Sequence, residues 1–200
     1  MADPLKFYFD FISPYGYLAS QLIDDLAAKH GRTVDWCPLL TGISVLKVMG
    51  LKGAADTPLK GPYARHDVPR LSRYLNIPFN RPEGPLKPLA PMRAFVWLKD
   101  KDPVAAVAFA KALFRTQWSE ARNLSEPEDV VAFAVEQGLD GDELRAAIDD
   151  PAVKESLKNQ VNAALEAGVF GVPTVSVDGE LFWGVDRFPM IDDWLSRDGW

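Results

Sequence analysis

The sequence predicts an α/β fold in which helices interrupt a small sheet. Three observations support this: a β-α-β pattern in residues 1–40, a β-β-α pattern in residues 168–200, and apolar residues at helical spacing between them. The chain has 200 residues, 48% of them hydrophobic, which is enough for a substantial core in one or two lobes. We therefore expect a discontinuous α/β domain, residues 1–40 and 168–200, and a helical insert domain, residues 41–167.

The N-terminal unit begins with a strand. Large apolar residues alternate with more polar ones from Leu5 to Phe11, a period of two that is typical of strands. Pro14 is suited to the first turn of a helix that we expect to reach about His30, with Gly31 just beyond its end. Val34 to Cys37 completes the β-α-β unit as a second strand.

The central segment is predicted to be helical. Residues 50–91 are rich in Gly, Pro and Lys, which favours loops, with one amphipathic helix over roughly His66–Leu75. Ser125 and Glu128 have the spacing of a capping box before one of the later helices. These later helices are expected over Met92–Lys99, Pro103–Trp118, Glu126–Gln137, Asp142–Ile148 and Pro151–Leu165.

Strand character returns near the C-terminus. The short runs Thr174–Val177 and Glu180–Trp183 flank Asp178-Gly179, the strongest short-range signal for a β-hairpin. Asp186 can cap a final helix that extends to about Leu195. The complete order of elements is that of a thioredoxin fold divided by a helical domain.

Residues 12–17, Ile-Ser-Pro-Tyr-Gly-Tyr, carry the most informative motif. In thioredoxin-like oxidoreductases this junction of strand and helix holds a C-x-x-C pair, and here the two cysteine positions are Ser13 and Gly16. Val172-Pro173 lies where such folds place their cis-proline. Dithiol chemistry at this junction is therefore excluded. A hydroxyl at a helix start can instead stabilise the thiolate of a bound molecule.

Composition excludes several classes of partner. The net charge is −6, with acidic and basic residues interspersed, which argues against nucleic acid or an anionic membrane as the main partner. No leader pattern and no run of 18 apolar residues is present, so we expect a soluble cytoplasmic protein. The single cysteine, Cys37, excludes an intramolecular disulfide and a C-x-x-C metal site, and no metal is expected.

The chain resembles the 2-hydroxychromene-2-carboxylate isomerase family, whose relatives are the kappa-class glutathione transferases and, more distantly, the DsbA-like oxidoreductases. The resemblance implies a thioredoxin-like fold with a helical insert, glutathione as cofactor, a small aromatic carboxylate as substrate and a homodimer. The stretches that carry it span nearly the whole length: Phe7–Ala19, Lys60–Pro78, Met92-Arg93, Trp118 and Val169–Arg187.

The resemblance also implies roles for residues around the motif. Ser13 is expected to donate a hydrogen bond to the sulfur of glutathione and so to lower the pKa of its thiol, although it could simply be a helix cap. Val172, beside Pro173, is expected to pair its backbone with the cysteinyl backbone of glutathione, in the manner of an added strand.

A second block of residues is expected to hold the γ-glutamyl group. The resemblance assigns this role to Asp186 and the Val185 amide, with Trp183 and Gly184 in the same block. Asp186 could alternatively only cap the last helix. Val185 stands where the family often has a polar side chain, so one hydrogen bond to the ligand is expected to be missing.

Basic and phenolic residues complete the expected site. The resemblance places Lys60 and Tyr63, before the helix that starts near residue 66, at the mouth of the cleft, with Lys47 upstream. Lys60 is assigned to glutathione, and Lys47 and Tyr63 to the substrate. The alternative is that these are ordinary solvated side chains. Residues 53–56 lack the Asn-Arg pair with which isomerases of the family contact their substrate.

The resemblance implies a glutathione-dependent cis-trans isomerase acting on 2-hydroxychromene-2-carboxylate or a related intermediate of aromatic degradation. In such a reaction the thiolate adds to an unsaturated carbon, the ring opens, a bond rotates, and elimination returns glutathione unchanged. Two alternatives stay open. A kappa-like transferase would release a conjugate instead, and a non-catalytic glutathione- or ligand-binding protein would do neither.

Overall fold

The computed structural model describes residues 3–200, which form two compact units. The first unit contains the residues up to Ile77 together with Ala164–Trp200, and the second contains Pro78–Ala163. A four-stranded mixed sheet lies in the first unit, and the second is helical. The α/β class and the interruption of the sheet by helices are therefore confirmed.

The sheet has the strand order β2-β1-β3-β4. Strand β1 is parallel to β2 and antiparallel to β3, and β3 is antiparallel to β4. Phe7 and Phe9 of β1 pack on Trp36 of β2, with ring centroids 4.9 and 5.3 Å apart, and all three side chains are buried. This aromatic cluster explains the alternation in the first strand. The strands are β1 (Leu5–Phe9), β2 (Val34–Pro38), β3 (Thr174–Val177) and β4 (Glu180–Trp183).

Nine α-helices are formed by residues 3–200. A π-helical segment at Gly42–Val48 and short 3₁₀ turns at Ala54–Asp56 and Val185–Arg187 accompany them. The α-helices are α1 (Pro14–Ser20), α2 (Ile23–Lys29), α3 (Lys60–Leu75), α4 (Leu89–Lys101), α5 (Pro103–Trp118), α6 (Pro127–Glu136), α7 (Gly141–Asp149), α8 (Pro151–Glu166) and α9 (Phe188–Ser196).

The hairpin between β3 and β4 is confirmed. Val177 pairs with Glu180, and the two connecting residues, Asp178 and Gly179, have φ angles of 52° and 97°. Positive φ at both central positions is the requirement that makes Asp-Gly so frequent in two-residue hairpins. The register of the last two strands is thus fixed by these two residues.

The first strand is shorter than the alternation predicted, and it ends at Phe9. The Ser13 amide donates to the Asp10 carbonyl at 3.0 Å, which turns the chain directly after the strand. Asp10, which the alternation placed on the more polar face, has no exposed surface.

The helix predicted from Pro14 to His30 is divided into α1 and α2. The Ser20 hydroxyl donates to the Tyr17 carbonyl at 2.6 Å, and the Gln21 amide bonds three residues back to Leu18, so the last turn tightens. A serine that bonds to a nearby carbonyl competes with the regular helical pattern. The helix start at Pro14 is confirmed.

Residues 41–77 belong with the sheet rather than with the other helices. Helix α3 begins at Lys60, not near residue 66, and it is joined to α1 by a hydrogen bond from the Tyr15 hydroxyl to Asp67 at 2.9 Å. The division at residues 77 and 164 therefore differs from the expected boundaries at 40 and 168. The sequence signals mark where helices start, whereas the side chains of α3 decide which unit it joins.

The expected capping box at α6 is wrong. The helix begins after Glu126, whose side chain makes no capping hydrogen bond. The Ser125 hydroxyl instead accepts from the Lys87 amide at 2.9 Å and donates to Asn123 at 2.5 Å, which ties the preceding loops together. A long-range partner has replaced the local one.

Within residues 3–200, no helix combines the length and the apolar character needed to cross a bilayer.

Candidate functional site

Ser13 stands at the N-cap of α1 with an extended backbone, φ −93° and ψ 114°. Its hydroxyl oxygen accepts a hydrogen bond from the Gly16 amide at 3.0 Å, so the capping role is real. This bond uses a lone pair of the oxygen, and the hydroxyl hydrogen is left to donate elsewhere. Capping and binding are therefore compatible in Ser13, whose side chain is partly exposed.

Gly16 occupies the second cysteine position of the motif. A Cβ there would stand 3.2 Å from the Ser13 Cβ and 3.4 Å from its hydroxyl oxygen. Glycine thus allows the close approach of the backbone that the Ser13 cap uses. The spacing that serves a cysteine pair elsewhere serves a capped serine here.

The loop before β3 contains the cis peptide bond Val172–Pro173, as the sequence predicted. The Thr174 hydroxyl closes this loop by donating to the Gly171 carbonyl at 2.7 Å. Within residues 3–200, the amide and carbonyl of Val172 make no backbone hydrogen bond. They can therefore pair with an extended ligand.

The turn after β4 is bonded to this loop: the Gly184 amide donates to the Pro173 carbonyl at 2.9 Å. Gly184 has a φ of 110°, and a Cβ there would collide with the Asp186 carboxylate. Only glycine fits this position, because the backbone has a positive φ and the Asp186 side chain occupies the space that a Cβ would need. The Arg187 amide donates to the Gly184 carbonyl at 3.1 Å, which closes the turn that carries Asp186.

Asp186 does not cap the last helix, so that alternative is wrong. Helix α9 is preceded by Arg187, with no side-chain capping bond. The Asp186 side chain is 66% exposed, and its only recorded ion pair within residues 3–200 is with Arg187 at 3.8 Å. It is available to a cationic group of a ligand. Val185, in contrast, is buried, which suits its apolar side chain and leaves only its amide as a group that could contact a ligand.

Helix α1 brings these pieces together. It packs against the 3₁₀ turn Val185–Arg187, so the helix that Ser13 caps adjoins the turn that carries Asp186. The Gly184–Pro173 bond in turn joins this turn to Val172. These contacts link the helix that Ser13 caps with the turn that carries Asp186 and the loop that carries Val172, all within the first unit.

Helix α3 joins the same group through a network of polar side chains. The Tyr15 hydroxyl donates to Asp67, and Arg70 donates to Asp67 and, at 3.0 Å, to the Tyr63 hydroxyl. Burial works to raise the pKa of Asp67, but hydrogen bonds from Arg70 and Tyr15 hold it below its ordinary value. Burial and the bond to Asp67 raise the pKa of Tyr15. Tyr63 is thus linked, through Arg70 and Asp67, to Tyr15 in the first turn of α1.

The two lysines are less well placed. Lys60 is the first residue of α3, and Lys47 lies in the last turn of the π-helical segment; both side chains are exposed. Within residues 3–200, neither side chain forms a hydrogen bond or an ion pair with Ser13, Val172 or Asp186. Their roles stay predictions.

An aromatic pair borders the loop of Val172. Trp183 and Phe170 are 55% and 43% exposed, with ring centroids 5.0 Å apart. The Trp183 ring lies over Gly171, where a Cβ would stand 2.9 Å from the indole nitrogen. Trp183 was expected in the site, whereas Phe170 was matched to the family without a role. Exposure of two large rings beside unpaired backbone groups is typical of a binding surface.

Sequence reasoning missed Asp10 and the Tyr15–Asp67–Arg70 network. Asp10 is fully buried and accepts hydrogen bonds from the Ile12 and Thr41 amides and the Thr41 hydroxyl. Burial raises its pKa to about 6, against the effect of these bonds. Its position directly between a strand of large apolar residues and the Ser13 motif is the signal that could have drawn attention to it.

Comparison with known proteins identifies the family of the chain. A family model described as a DSBA-like thioredoxin domain matches residues 4–196. The chain belongs to this family. The thioredoxin-like fold expected from the order of elements is thereby confirmed.

Within the family, the chain is similar to two kinds of enzyme. It is 29% identical to 2-hydroxychromene-2-carboxylate isomerase of Sphingobium xenophagum, over 98% of this chain and 99% of that protein. It is 27% identical to human glutathione S-transferase kappa 1, over 96% of this chain and 91% of that protein. A solved structure of 2-hydroxychromene-2-carboxylate isomerase matches with a TM-score of 0.84 and 27% identity, covering 96% of this chain and 94% of the other. These relatives support an isomerase-like enzyme.

Proposed function

We propose that this protein is a glutathione-dependent isomerase of 2-hydroxychromene-2-carboxylate or a closely related aromatic carboxylate. The observation that carries the proposal is the Ser13 hydroxyl, which accepts a capping bond and keeps its own hydrogen to donate to a thiolate. The similarity to named isomerases over nearly the whole chain gives the reaction type. A homodimer in the cytoplasm stays a prediction from family resemblance.

Ser13, Val172 and Asp186 offer groups that suit three parts of glutathione. Ser13 offers a donor for the sulfur, the Val172 amide and carbonyl offer a partner for a peptide backbone, and Asp186 offers a carboxylate for the α-ammonium group. The buried Val185 side chain leaves only its amide for this end of the ligand. We therefore expect binding in the micromolar to millimolar range, about −4 to −8 kcal/mol.

Bound glutathione supplies a nucleophilic thiolate that can add to a conjugated double bond and later leave. The chain contributes orientation and electrostatic stabilisation. In this proposal Ser13 holds the negative charge and the Val172 backbone fixes the peptide. We assign Tyr63, whose hydroxyl accepts from Arg70, to the substrate. We assign the substrate carboxylate to Lys47 and the glutathione glycyl carboxylate to Lys60.

Thiol consumption tests the reaction type. With 2-hydroxychromene-2-carboxylate, glutathione in catalytic amounts should support conversion while total free thiol stays constant. A transferase given a halonitrobenzene would consume one thiol for each product, and an inert binding protein would catalyse neither reaction. Stoichiometric loss of thiol without isomerisation would contradict the proposal and favour the transferase, which the kappa-class relatives make the second candidate.

Binding is measured separately. Calorimetry with reduced glutathione should give heat, and the protein should gain thermal stability as the ligand saturates it. If neither were observed at millimolar glutathione, the cofactor assignment would fail whatever the reaction proved to be.

A further inference from the structure

The Asp10 carboxylate is held by three hydrogen bonds, three residues before Ser13. Its Oδ2 atom accepts from the Thr41 amide at 2.9 Å and from the Thr41 hydroxyl at 2.8 Å, and Oδ1 accepts from the Ile12 amide at 3.3 Å. The side chain has no exposed surface. Burial of a carboxylate is costly unless hydrogen bonds compensate it, so these three donors stabilise a group that the core alone would not favour.

The same residue controls the turn that carries Ser13. The Asp10 carbonyl accepts from the Ser13 amide at 3.0 Å, and a Cβ on Gly16 would stand 3.4 Å from this carbonyl. Thr41 lies 31 positions away, just before the π-helical segment. Asp10 therefore closes the β1–α1 turn with its main chain and, with its carboxylate, joins this turn to a separate piece of chain at Thr41.

We propose that Asp10 is a positioning residue: through Thr41 and Ile12 its buried carboxylate fixes the turn that aims the Ser13 hydroxyl. The consequence for the thiol rests on the proposed function, but the positioning itself is a property of the protein alone. Hydrogen bonds weaken steeply as their geometry departs from linear, so a mobile turn would stabilise a thiolate less well.

Removing the charge separates positioning from simple electrostatics. Burial raises the pKa of Asp10 to about 6, so the group is mostly ionised at neutral pH, and its charge alone would oppose a thiolate nearby. In Asp10→Asn the amide has one oxygen and cannot accept from both Ile12 and Thr41. Positioning predicts that the pKa of bound glutathione rises by about one unit, tenfold in the ionisation constant. A purely electrostatic role predicts that it falls.

Thr41 provides the matched series. Thr41→Val removes the hydroxyl donor and keeps both charge and shape, whereas Thr41→Ser keeps the hydroxyl. Ser72→Ala is the control, because it removes a different buried hydroxyl bond of the first unit, from Ser72 to the Ile77 carbonyl. Ultraviolet spectra against pH report the bound thiolate, and amide hydrogen exchange at Ser13 and Gly16 reports the turn without ligand.

The expected result is a higher thiol pKa and several-fold faster exchange at Ser13 and Gly16 in Asp10→Asn and Thr41→Val. Thr41→Ser should restore both, and Ser72→Ala should change neither. An unchanged or lower thiol pKa, or unchanged exchange at the two amides, would overturn the proposal. If wild-type protein bound no glutathione, the proposed function would fail, and the exchange measurement would still decide whether Asp10 fixes the turn.

Discussion

At the scale of single residues, Ser13 shows how one side chain can serve both folding and binding. Its oxygen accepts from the Gly16 amide, which satisfies one of the free amides at the start of α1. Its hydrogen is not needed for this bond. The same hydroxyl that caps the helix can therefore donate to a sulfur anion. A single mutation removes both functions, so they have to be distinguished by two measurements, stability for the cap and the thiol pKa for the donor.

Ser13→Ala tests both functions at once. The lost cap should lower the free energy of unfolding by about 1 kcal/mol, and the lost donor should raise the pKa of bound glutathione by about one unit, with turnover about tenfold lower. Asp140→Ala is the control, because Asp140 caps α7 through the Asp142 and Glu143 amides. This control should lose similar stability and keep the thiol pKa. Equal thiol pKa values in all three proteins would make Ser13 a cap alone.

Asp186→Asn should weaken glutathione binding without destabilising the fold. The exposed carboxylate caps no helix, so the loss of its charge should have little effect on the stability of the fold. We expect an affinity loss of about tenfold, 1.4 kcal/mol, measured by calorimetry, with an unchanged melting temperature. Asp102→Ala, which removes the cap of α5, should show the opposite pattern. A fall in melting temperature with full affinity in Asp186→Asn would remove Asp186 from the site.

At the scale of elements, the start of α3 decides where Lys60 and Tyr63 lie. Periodicity predicted the helix from His66, whereas it begins at Lys60, which puts both residues in its first turn instead of a preceding loop. Pro62 fits an early helical position, but the Gly-Pro pair also reads as a loop signal. The ambiguity is resolved by packing: Gly61 lies so close to the Ala55 carbonyl that a Cβ would collide with it.

Gly61→Ala should therefore destabilise this corner of the fold. The added methyl group meets backbone rather than a flexible side chain, so the 3₁₀ turn Ala54–Asp56 or the first turn of α3 must move. We expect a loss of about 1–3 kcal/mol in urea unfolding and a higher KM for substrate. Gly42→Ala is the matched control, because no atom lies within 4 Å of a Cβ there. Equal stability of the two variants would show that the corner yields without cost.

At the scale of the whole molecule, local patterns were sufficient for most of the fold. The strand β1, the Asp-Gly hairpin and the proline at the start of α1 each depend on neighbours in sequence, and each was predicted, although β1 ends at Phe9 and not at Phe11. The errors concern distant partners. Asp10 is buried because Thr41 reaches it, and Ser125 bonds to the Lys87 amide instead of capping α6. Such contacts have no periodicity, so a single sequence does not reveal them.

In the candidate site, too, residues in local motifs could be predicted from the sequence and those with distant partners could not. Ser13, Val172 and Asp186 were proposed from motifs and from the family resemblance, and all three lie in the first unit. The Asp67–Arg70 pair that holds Tyr63 was not found, since its members are ordinary surface types until α3 packs on α1. Motifs identify candidate ligand-binding groups, whereas the groups that position them emerge only from tertiary packing.

The charges of the molecule act in two pH windows. Hydrogen bonds and ion pairs with Arg32 and with Lys29 and His30 hold the pKa values of Asp178 and Asp192 below their ordinary range. Stability from such carboxylates is present at neutral pH and is lost as pH falls through their lowered pKa values. Asp10 works in the opposite direction, because burial raises its pKa from 3.8 to about 6.

The raised pKa of Asp10 makes the folded protein less stable as pH rises. Between the two pKa values, the folded protein retains a proton that the unfolded chain has released, so stability falls as pH rises from about 4 to about 6.5. The full difference is about 3 kcal/mol, at 1.36 kcal/mol per unit. Urea unfolding of wild type across this range should show the decline, and Asp10→Asn, which cannot titrate, should lack most of it. Parallel pH curves for the two proteins would mean that Asp10 has an ordinary pKa and that its three hydrogen bonds fully compensate its burial.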